Sequence, residues 1–215
     1  MTQPLRADAE RNRLRLLDAA AQILAERGLN VSVAEIARRA GVGQGTVFRR
    51  FPSKDALVAA IVVDRLEQLE LFAEQATVRR PAESLPLFME RAVCLYLQDR
   101  CLFQALEGKP FANSDVREQY ARVLAAIDRL LEHARAGGAV RADVKAMDIP
   151  MLVVGVAHAS AVALPSVPQV WRRYLRIALD GLRPEGATRL PVRAPTNDEF
   201  DRACLGAQAL DVTDA

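Results

Sequence analysis

The residues best suited to contact a partner lie in one short stretch, 41–57, which reads GVGQGTVFRRFPSKDAL. Gln44 and Thr46 carry amide and hydroxyl groups that can hydrogen-bond to the edges of bases. Cationic side chains that can pair with phosphate follow directly, at Arg49, Arg50 and Lys54. The phenylalanines that flank the arginines favour burial. This mixture of groups suits a surface that packs on its own domain and also lies against a nucleic-acid backbone.

Two short helices and a glycine-rich turn are predicted to position these groups. Ser32, with Glu35 three residues later, predicts a capping box and a helix that Gly41 ends. A second short helix is predicted over 44–51. Residues 32–51 therefore form a helix-turn-helix, in which the second helix enters the major groove of DNA. The residues at the start of that helix, where base edges are reached, are Gln44, Gly45 and Thr46.

No pattern in the chain indicates catalysis. We find no nucleophile elbow, phosphate loop, HExxH motif or supported pair of catalytic carboxylates. We therefore predict that the protein is not an enzyme and needs no cofactor. The histidines are too few and too far apart for a metal site, and the cysteines lack metal-binding spacing. We interpret Cys94, Cys101 and Cys204 as small buried residues, with a redox switch as the alternative.

The rest of the chain shows helical periodicity and no strand-like alternation, so we predict an all-α fold of about nine helices in total. Three parts are expected: a helix-turn-helix domain over 10–69, a helical regulatory and dimerisation domain over 70–183, and a flexible tail over 184–215. Beyond the helix-turn-helix, the predicted helices cover 10–27, about 53–72, 84–106, 114–135 with Ser114 as its cap, 147–164 and 168–182.

Charge is unevenly distributed along the 215 residues. The net charge is +2, but residues 1–55 contain ten Lys and Arg against six Asp and Glu. A basic front on a slightly acidic body suggests an anionic partner at the N-terminal end. The longest apolar run, MLVVGVAHASAVAL, is too short to span a bilayer. We therefore expect a soluble cytoplasmic protein with no membrane partner.

One segment, LLDAAAQILAERGLNVSVAEIARRAGVGQGTVFRRFPSKDALVAAI, resembles the DNA-binding domain of the TetR (tetracycline-repressor-like) family of transcriptional regulators. The later GGAVRADVKAMDIPMLVVG resembles the start of that family's dimerisation helices. Together the two matches touch roughly residues 10–183. The resemblance implies a sequence-specific, ligand-responsive repressor that binds a palindromic double-stranded DNA operator as a homodimer and responds to a small-molecule effector.

The resemblance also implies which residues contact DNA. Phe48 stands where the family often has a tyrosine whose hydroxyl touches phosphate, so here it can offer only packing or contact with a thymine methyl. The alternatives are that Phe48 is core, that the arginines are ordinary solvated charges and that Ser32 is only a helix cap. The predicted DNA-binding residues are Ser32, Gln44, Gly45, Thr46, Phe48, Arg49, Arg50 and Lys54.

By the same resemblance, the middle helices enclose an effector pocket and the last two helices form the dimer interface. In each case the alternative is that the residues only close the core of one chain. The predicted pocket residues are Phe88, Tyr96, Phe103, Phe111 and Tyr120. The predicted interface residues are Gly155, Ala159, Trp171, Leu175 and Leu179.

Two other classes of function compete with the regulator. One is a helical interaction or scaffold protein whose helix-turn-helix binds protein, which the cationic residues beside the motif disfavour. The other is an enzyme with an incidental helical N-terminus, which lacks any catalytic motif to support it.

Overall fold

The computed structural model of the chain describes residues 3–27, 31–99, 113–200 and 202. This part of the chain is helical and contains no strand, which confirms the predicted all-α class. Residues 197–200 and 202 are helical, and eight further helices have defined bounds. They are α1 (Gln3–Arg27), α2 (Val33–Arg39), α3 (Gln44–Arg50), α4 (Lys54–Thr77), α5 (Pro81–Gln98), α6 (Ser114–Ala136), α7 (Asp148–Ala161) and α8 (Val170–Gly181). Within these ranges, no helix is both long enough and apolar enough to cross a membrane.

The first three helices form a small unit with its own core. Helix α1 packs against α2, and α2 packs against α3. Leu17, Ile36 and Val47 supply one fully buried apolar side chain from each helix. Seven-residue helices such as α2 and α3 are too short to be stable alone, so this packing is what holds them in place.

Helix α4 joins this unit to the remaining helices. It packs against α1, α5 and α6, and its contact with α6 is the most extensive between any two described helices. Helix α5 also packs on α6, α7 and α8, and α7 packs on α8. The core of this larger domain includes Phe88, Leu130 and Leu131.

The predicted starts of α1 and α5 and the predicted cap of α6 are wrong. Helix α1 begins at Gln3 and not at residue 10. The other two differences have local physical reasons. Helix α5 begins at Pro81 and not at Ser84, because proline suits the first helical position, where no backbone N–H is needed. Helix α6 is capped by Asn113 and not by Ser114. The Asn113 side-chain oxygen accepts hydrogen bonds from the backbone N–H groups of Asp115 (2.8 Å) and Val116 (3.4 Å). The part of the predicted 84–106 helix beyond residue 99 lies outside the described residues.

Contacts join the described part of the predicted tail, residues 184–200 and 202, to the preceding domain. The Arg141 guanidinium donates a hydrogen bond to the Thr188 carbonyl oxygen. The Phe200 ring stacks on Tyr120 of α6, with 5.6 Å between centroids and 21° between ring planes. Flexibility of the tail as a whole stays a prediction.

The end of α6 lies directly against the start of α5, which gives a prediction about two adjacent glycines. A Cβ added at Gly137 would lie 2.3 Å from Cβ of Pro81, whereas nothing lies within 4 Å of one added at Gly138, whose φ is +68°. We expect Gly137→Ala to lower the free energy of unfolding by about 1–3 kcal/mol through overlap. Gly138→Ala should lower it by about 1–2 kcal/mol through backbone strain.

Urea unfolding of a double-mutant cycle separates the two causes. In a Pro81→Gly background the overlap is relieved, so the effect of Gly137→Ala should largely disappear while that of Gly138→Ala persists. An unchanged effect of Gly137→Ala in that background would contradict the overlap.

Candidate nucleic-acid interface

The first helix of the helix-turn-helix is fixed by its cap and by two buried residues. The Ser32 hydroxyl oxygen accepts a hydrogen bond from the backbone N–H of Glu35 at 3.2 Å, so Ser32 is the N-cap of α2. Ile36 and Ala37 are buried against the rest of the unit. Ser32 itself is exposed, and its predicted contact with phosphate stays a prediction.

The turn between α2 and α3 depends on one left-handed residue. Gly41 has φ +67°, a conformation in which any other residue would be strained. The backbone N–H of Val42 donates to the Ala37 carbonyl oxygen at 3.0 Å, and the Val42 side chain packs against the core. Gly43 is the N-cap of α3 and makes no side-chain cap. The chain therefore reverses over three residues and presents α3 at the surface.

Helix α3 has one anchored face and one exposed face. Val47 is 0% exposed and Phe51, just after the helix, is buried, so these two residues hold α3 to its unit. Phe48 is 44% exposed, so it is not a core residue and its ring is available at the surface. The structure places six of the predicted DNA-binding residues on this exposed surface: Gln44, Gly45, Thr46, Phe48, Arg49 and Arg50.

The Arg49 side chain folds back along the exposed face of α3. Its Nε donates to the Gly45 carbonyl oxygen at 3.3 Å, and its Nη2 donates to the Thr46 hydroxyl at 3.4 Å. Both contacts are long, and a phosphate oxygen is a stronger acceptor for a guanidinium. The geometry places a cation beside the predicted base-reading residues.

Lys54 stands at the junction of α3 and α4. The Ser53 hydroxyl oxygen accepts from the backbone N–H of Ala56 at 3.1 Å and so caps α4, which makes Lys54 the first residue of that helix. Lys54 is half-buried, and no other predicted DNA-binding residue lies on α4. The structure does not place it on the α3 surface itself, and its contact with phosphate stays a prediction.

No role was predicted from the sequence for two arginines of α2. Arg39 Nη2 lies 2.8 Å from the Glu26 carboxylate and ties α2 to α1, whereas Arg38 is largely exposed and lies 3.7 Å from Glu35. The Glu35 and Arg38 pair has ordinary helical spacing and could have been foreseen. The pair with Glu26 has no local signal, because thirteen residues separate its members.

The described residues of the predicted effector pocket are buried on two adjacent helices. Phe88 and Tyr96 lie on α5, and Tyr120 lies on α6 with its hydroxyl donating to the Met147 sulfur at 3.6 Å. Burial, with a smaller contribution from Tyr120, raises the pKa of Tyr96, so its hydroxyl stays protonated. Phe103 and Phe111 lie outside the described residues. The role of these residues in a pocket stays a prediction.

The predicted dimer residues divide into exposed and buried. Gly155 and Ala159 are exposed on α7, and Leu179 is half-buried. Trp171 and Leu175 are buried within the single chain, where they help to close its own core. The Arg172 guanidinium lies over the Trp171 ring, 4.6 Å from its centroid, and Arg172 Nη1 lies 2.5 Å from the carboxylate of Glu90 on α5.

The sequence reasoning missed other exposed apolar residues at this end of the chain. Met151 and Val162 continue the exposed face of α7 that holds Gly155 and Ala159, and Ile177 is exposed on α8. The spacing of Met151, Gly155 and Ala159, four residues apart, could have identified this face.

Comparison with known proteins agrees with this geometry. Residues 16–61 match the model of "Bacterial regulatory proteins, tetR family", and residues 80–184 match the C-terminal domain model "Transcriptional regulator SbtR-like". A TetR transcription regulatory protein from Mycobacterium vanbaalenii is 38% identical, with a TM-score of 0.64 over 84% of this chain and 99% of that one. A TetR transcriptional regulator from Streptomyces coelicolor is 30% identical, with a TM-score of 0.62 over 80% and 98%.

A third relative is the HTH-type transcriptional regulator SrpR of Pseudomonas putida. It is 28% identical over 140 residues, which are 62% of this chain and 66%, just under two thirds, of that relative. These relatives are transcriptional regulators and not enzymes. The matches span both the helix-turn-helix and the helical domain that follows it, and the predicted resemblance is confirmed. The chain is a DNA-binding transcriptional regulator that belongs to the tetR family of bacterial regulatory proteins.

Proposed function

We propose that the protein is a ligand-responsive repressor that binds a palindromic operator as a homodimer. The observation that supports the proposal is that α3 has one buried face and one exposed face. Val47 anchors the helix on the buried face, and the exposed face of the helix holds amide, hydroxyl and guanidinium groups. A helix presented in this way can enter a major groove without disturbing its own core. The proposal places the protein in the cytoplasm, together with its operator DNA.

A homodimer is supported by the exposed apolar face of α7 and α8. One helix-turn-helix contacts only a few base pairs, and a two-fold dimer places two recognition helices in successive major grooves. Gly155 and Ala159 are small enough for close helix approach, while Met151 and Ile177 offer apolar area. We propose these residues, with the half-buried Leu179, as the interface.

Response to a small-molecule effector is proposed for the domain formed by α4 to α8. Phe88, Tyr96 and Tyr120 would line its site, together with Phe103 and Phe111. The proposed effector binds more tightly to a conformer whose recognition helices are wrongly spaced, and it therefore lowers the affinity for the operator. Because coupling is reciprocal, operator DNA lowers the affinity for the effector by the same factor.

Selection of binding sites from a random DNA library tests the proposal. We expect enrichment of a two-fold symmetric sequence, bound by two chains per site in sedimentation equilibrium, with affinity that falls steeply as salt rises. A library that yields no enriched sequence, or an affinity that does not change with salt, would contradict the proposed operator binding. A stoichiometry of one chain per site would contradict only the proposed homodimer.

Residues that read bases and residues that hold phosphate should respond differently to truncation. We expect Gln44→Ala to remove about 1–3 kcal/mol of discrimination at one base position, because a side-chain amide makes paired hydrogen bonds to adenine. Lys54→Ala should weaken all sequences alike and reduce the salt slope by about one unit. Anisotropy titrations with the selected operator and its single-base variants measure both. Equal loss of base preference in the two variants would contradict the division.

Phe48 gives a gain-of-function prediction. Its exposed ring stands where a tyrosine hydroxyl often meets phosphate, so Phe48→Tyr should raise affinity about three- to tenfold for every sequence, the range of one added hydrogen bond. Phe48→Leu, which adds no donor, is the matched control and should give no gain. The same titrations check both variants, and unchanged affinity of Phe48→Tyr would show that position 48 does not face phosphate.

A further inference from the structure

A single arginine on α4 binds carboxylates from three different elements. The Arg65 guanidinium contacts Asp99, the C-cap residue of α5, through Nε at 2.7 Å. It contacts Asp64 on α4 through Nη1 at 2.6 Å, and Asp18 on α1 through Nη2 at 2.9 Å. The rigid fork of a guanidinium fixes the directions of these bonds, so the three carboxylates are held in one defined arrangement.

The arrangement is buried at its centre and exposed at one end. Arg65, Asp64 and Asp99 are buried, whereas the Asp18 side chain is 60% exposed. Burial alone would lower the pKa of Arg65, but hydrogen bonds to Asp99 and Asp18 outweigh it and raise that pKa above its ordinary value. Charge-assisted bonds in a buried site are strong and directional, so small displacements of either neighbour are resisted.

The three elements belong to different parts of the molecule. Asp18 lies on α1, which packs directly against α2 of the helix-turn-helix. Asp99 follows the last residue of α5, and its backbone N–H donates to the Leu95 carbonyl oxygen at 2.9 Å. One turn earlier on α5 is Tyr96, a buried residue of the proposed effector site. Tyr96 is thus one turn from Asp99, which contacts the Arg65 guanidinium directly.

We propose that Arg65 is a positioning residue that couples the end of α5 to the DNA-binding unit, with Asp18 as its contact on α1. When α5 moves at Tyr96, the bridge transmits the movement to α1 and changes the orientation of α2 and α3. This inference rests on the proposed regulatory function and deepens it by naming one contact between α1 and the effector domain.

Coupling is reciprocal, which allows a test without any effector. If the bridge transmits, operator binding at α3 must alter the end of α5. The experiment is hydrogen–deuterium exchange of the full chain, with and without the operator fragment recovered by selection. In the wild type we expect operator to slow exchange in 33–50 and also to change exchange in 95–99 by about fivefold or more, the lower end of ordinary allosteric coupling.

The variant is Asp18→Ala, and Glu26→Ala is its matched control. Both residues are exposed carboxylates on α1, so both substitutions change the net charge equally, and Glu26 is 50% exposed. Glu26 pairs with Arg39 inside the DNA-binding unit and not across to α5. Because neither change leaves a buried carboxylate, we expect both variants to fold and to keep operator protection in 33–50.

In Asp18→Ala the change at 95–99 should fall below about twofold, whereas in Glu26→Ala it should remain at the wild-type level. A merely structural role for the bridge predicts that the two variants behave alike. Retention of the 95–99 change in Asp18→Ala, its loss in both variants, or its absence in a wild type that is protected at 33–50 would overturn the coupling. A wild type with no protection at 33–50 would instead contradict the proposed operator contact through α3.

Discussion

Replacement of Arg65 by methionine will lower the free energy of unfolding by about 3–5 kcal/mol, the range observed when one partner of a buried ion pair is removed. Asp64 and Asp99 are buried around the guanidinium and would lose its charge and its hydrogen bonds. Methionine has nearly the length of the arginine stem, so little of the loss comes from an empty volume. Urea unfolding followed by circular dichroism measures the effect.

Arg129→Met is the surface control for this prediction. Arg129 on α6 is more than half exposed and lies 3.8 Å from Glu74 on α4, and exposed pairs of this kind contribute less than about 1 kcal/mol. Arg65→Lys separates charge from geometry, because an ammonium keeps the charge but cannot form the three-way fork. We expect an intermediate loss for Arg65→Lys. A loss below about 1 kcal/mol for Arg65→Met would show that the cluster contributes no more than a surface pair.

Val47→Asp is expected to abolish operator binding, with a loss of more than about a hundredfold in affinity. Val47 is the fully buried residue of α3. A carboxylate at this position would either lose its hydration or displace α3 from the core of its unit. Burial of that carboxylate would cost several kilocalories per mole, which is more than the few contacts of a seven-residue helix can offset. Anisotropy titration with the selected operator measures the loss, and thermal melting measures the accompanying destabilisation.

Phe48→Asp introduces the same side chain one residue later and is the matched control. Phe48 is largely at the surface, so stability should change by less than about 0.5 kcal/mol. Operator affinity should still fall by about tenfold or more, because a carboxylate would face phosphates. The two variants therefore distinguish a residue that anchors α3 in its unit from a residue that contacts DNA. If Val47→Asp melted like the wild type, the packing assigned to α3 would be wrong.

The helix-turn-helix could be predicted from sequence because its determinants are local. The Ser32 cap, the left-handed Gly41 and the start of α3 at Gln44 each depend on a few consecutive residues. The cap of α6 shows the limit even of local signals, since Asn113 and Ser114 are both good capping residues and only their geometry decides between them.

The Arg65 cluster could not be predicted in this way. Asp18 and Asp99 are 47 and 34 residues from Arg65 in sequence, so no spacing rule connects them. The dimer face shows a different limit. Apolar periodicity marks α8 as amphipathic but does not say whether Trp171 meets its own chain or another, and in the structure its own chain buries it.

The burial of Trp171 has an optical consequence, because it is the single tryptophan of the chain. Its indole lies under the Arg172 guanidinium beside α5, so its fluorescence reports on the α5–α8 contact. Helices α1 to α3 contribute no indole signal, although they contribute to the circular dichroism. A melt recorded by both signals therefore separates the two parts of the molecule. If the DNA-binding unit of a variant such as Val47→Asp loosens by itself, ellipticity will fall before the emission of Trp171 changes.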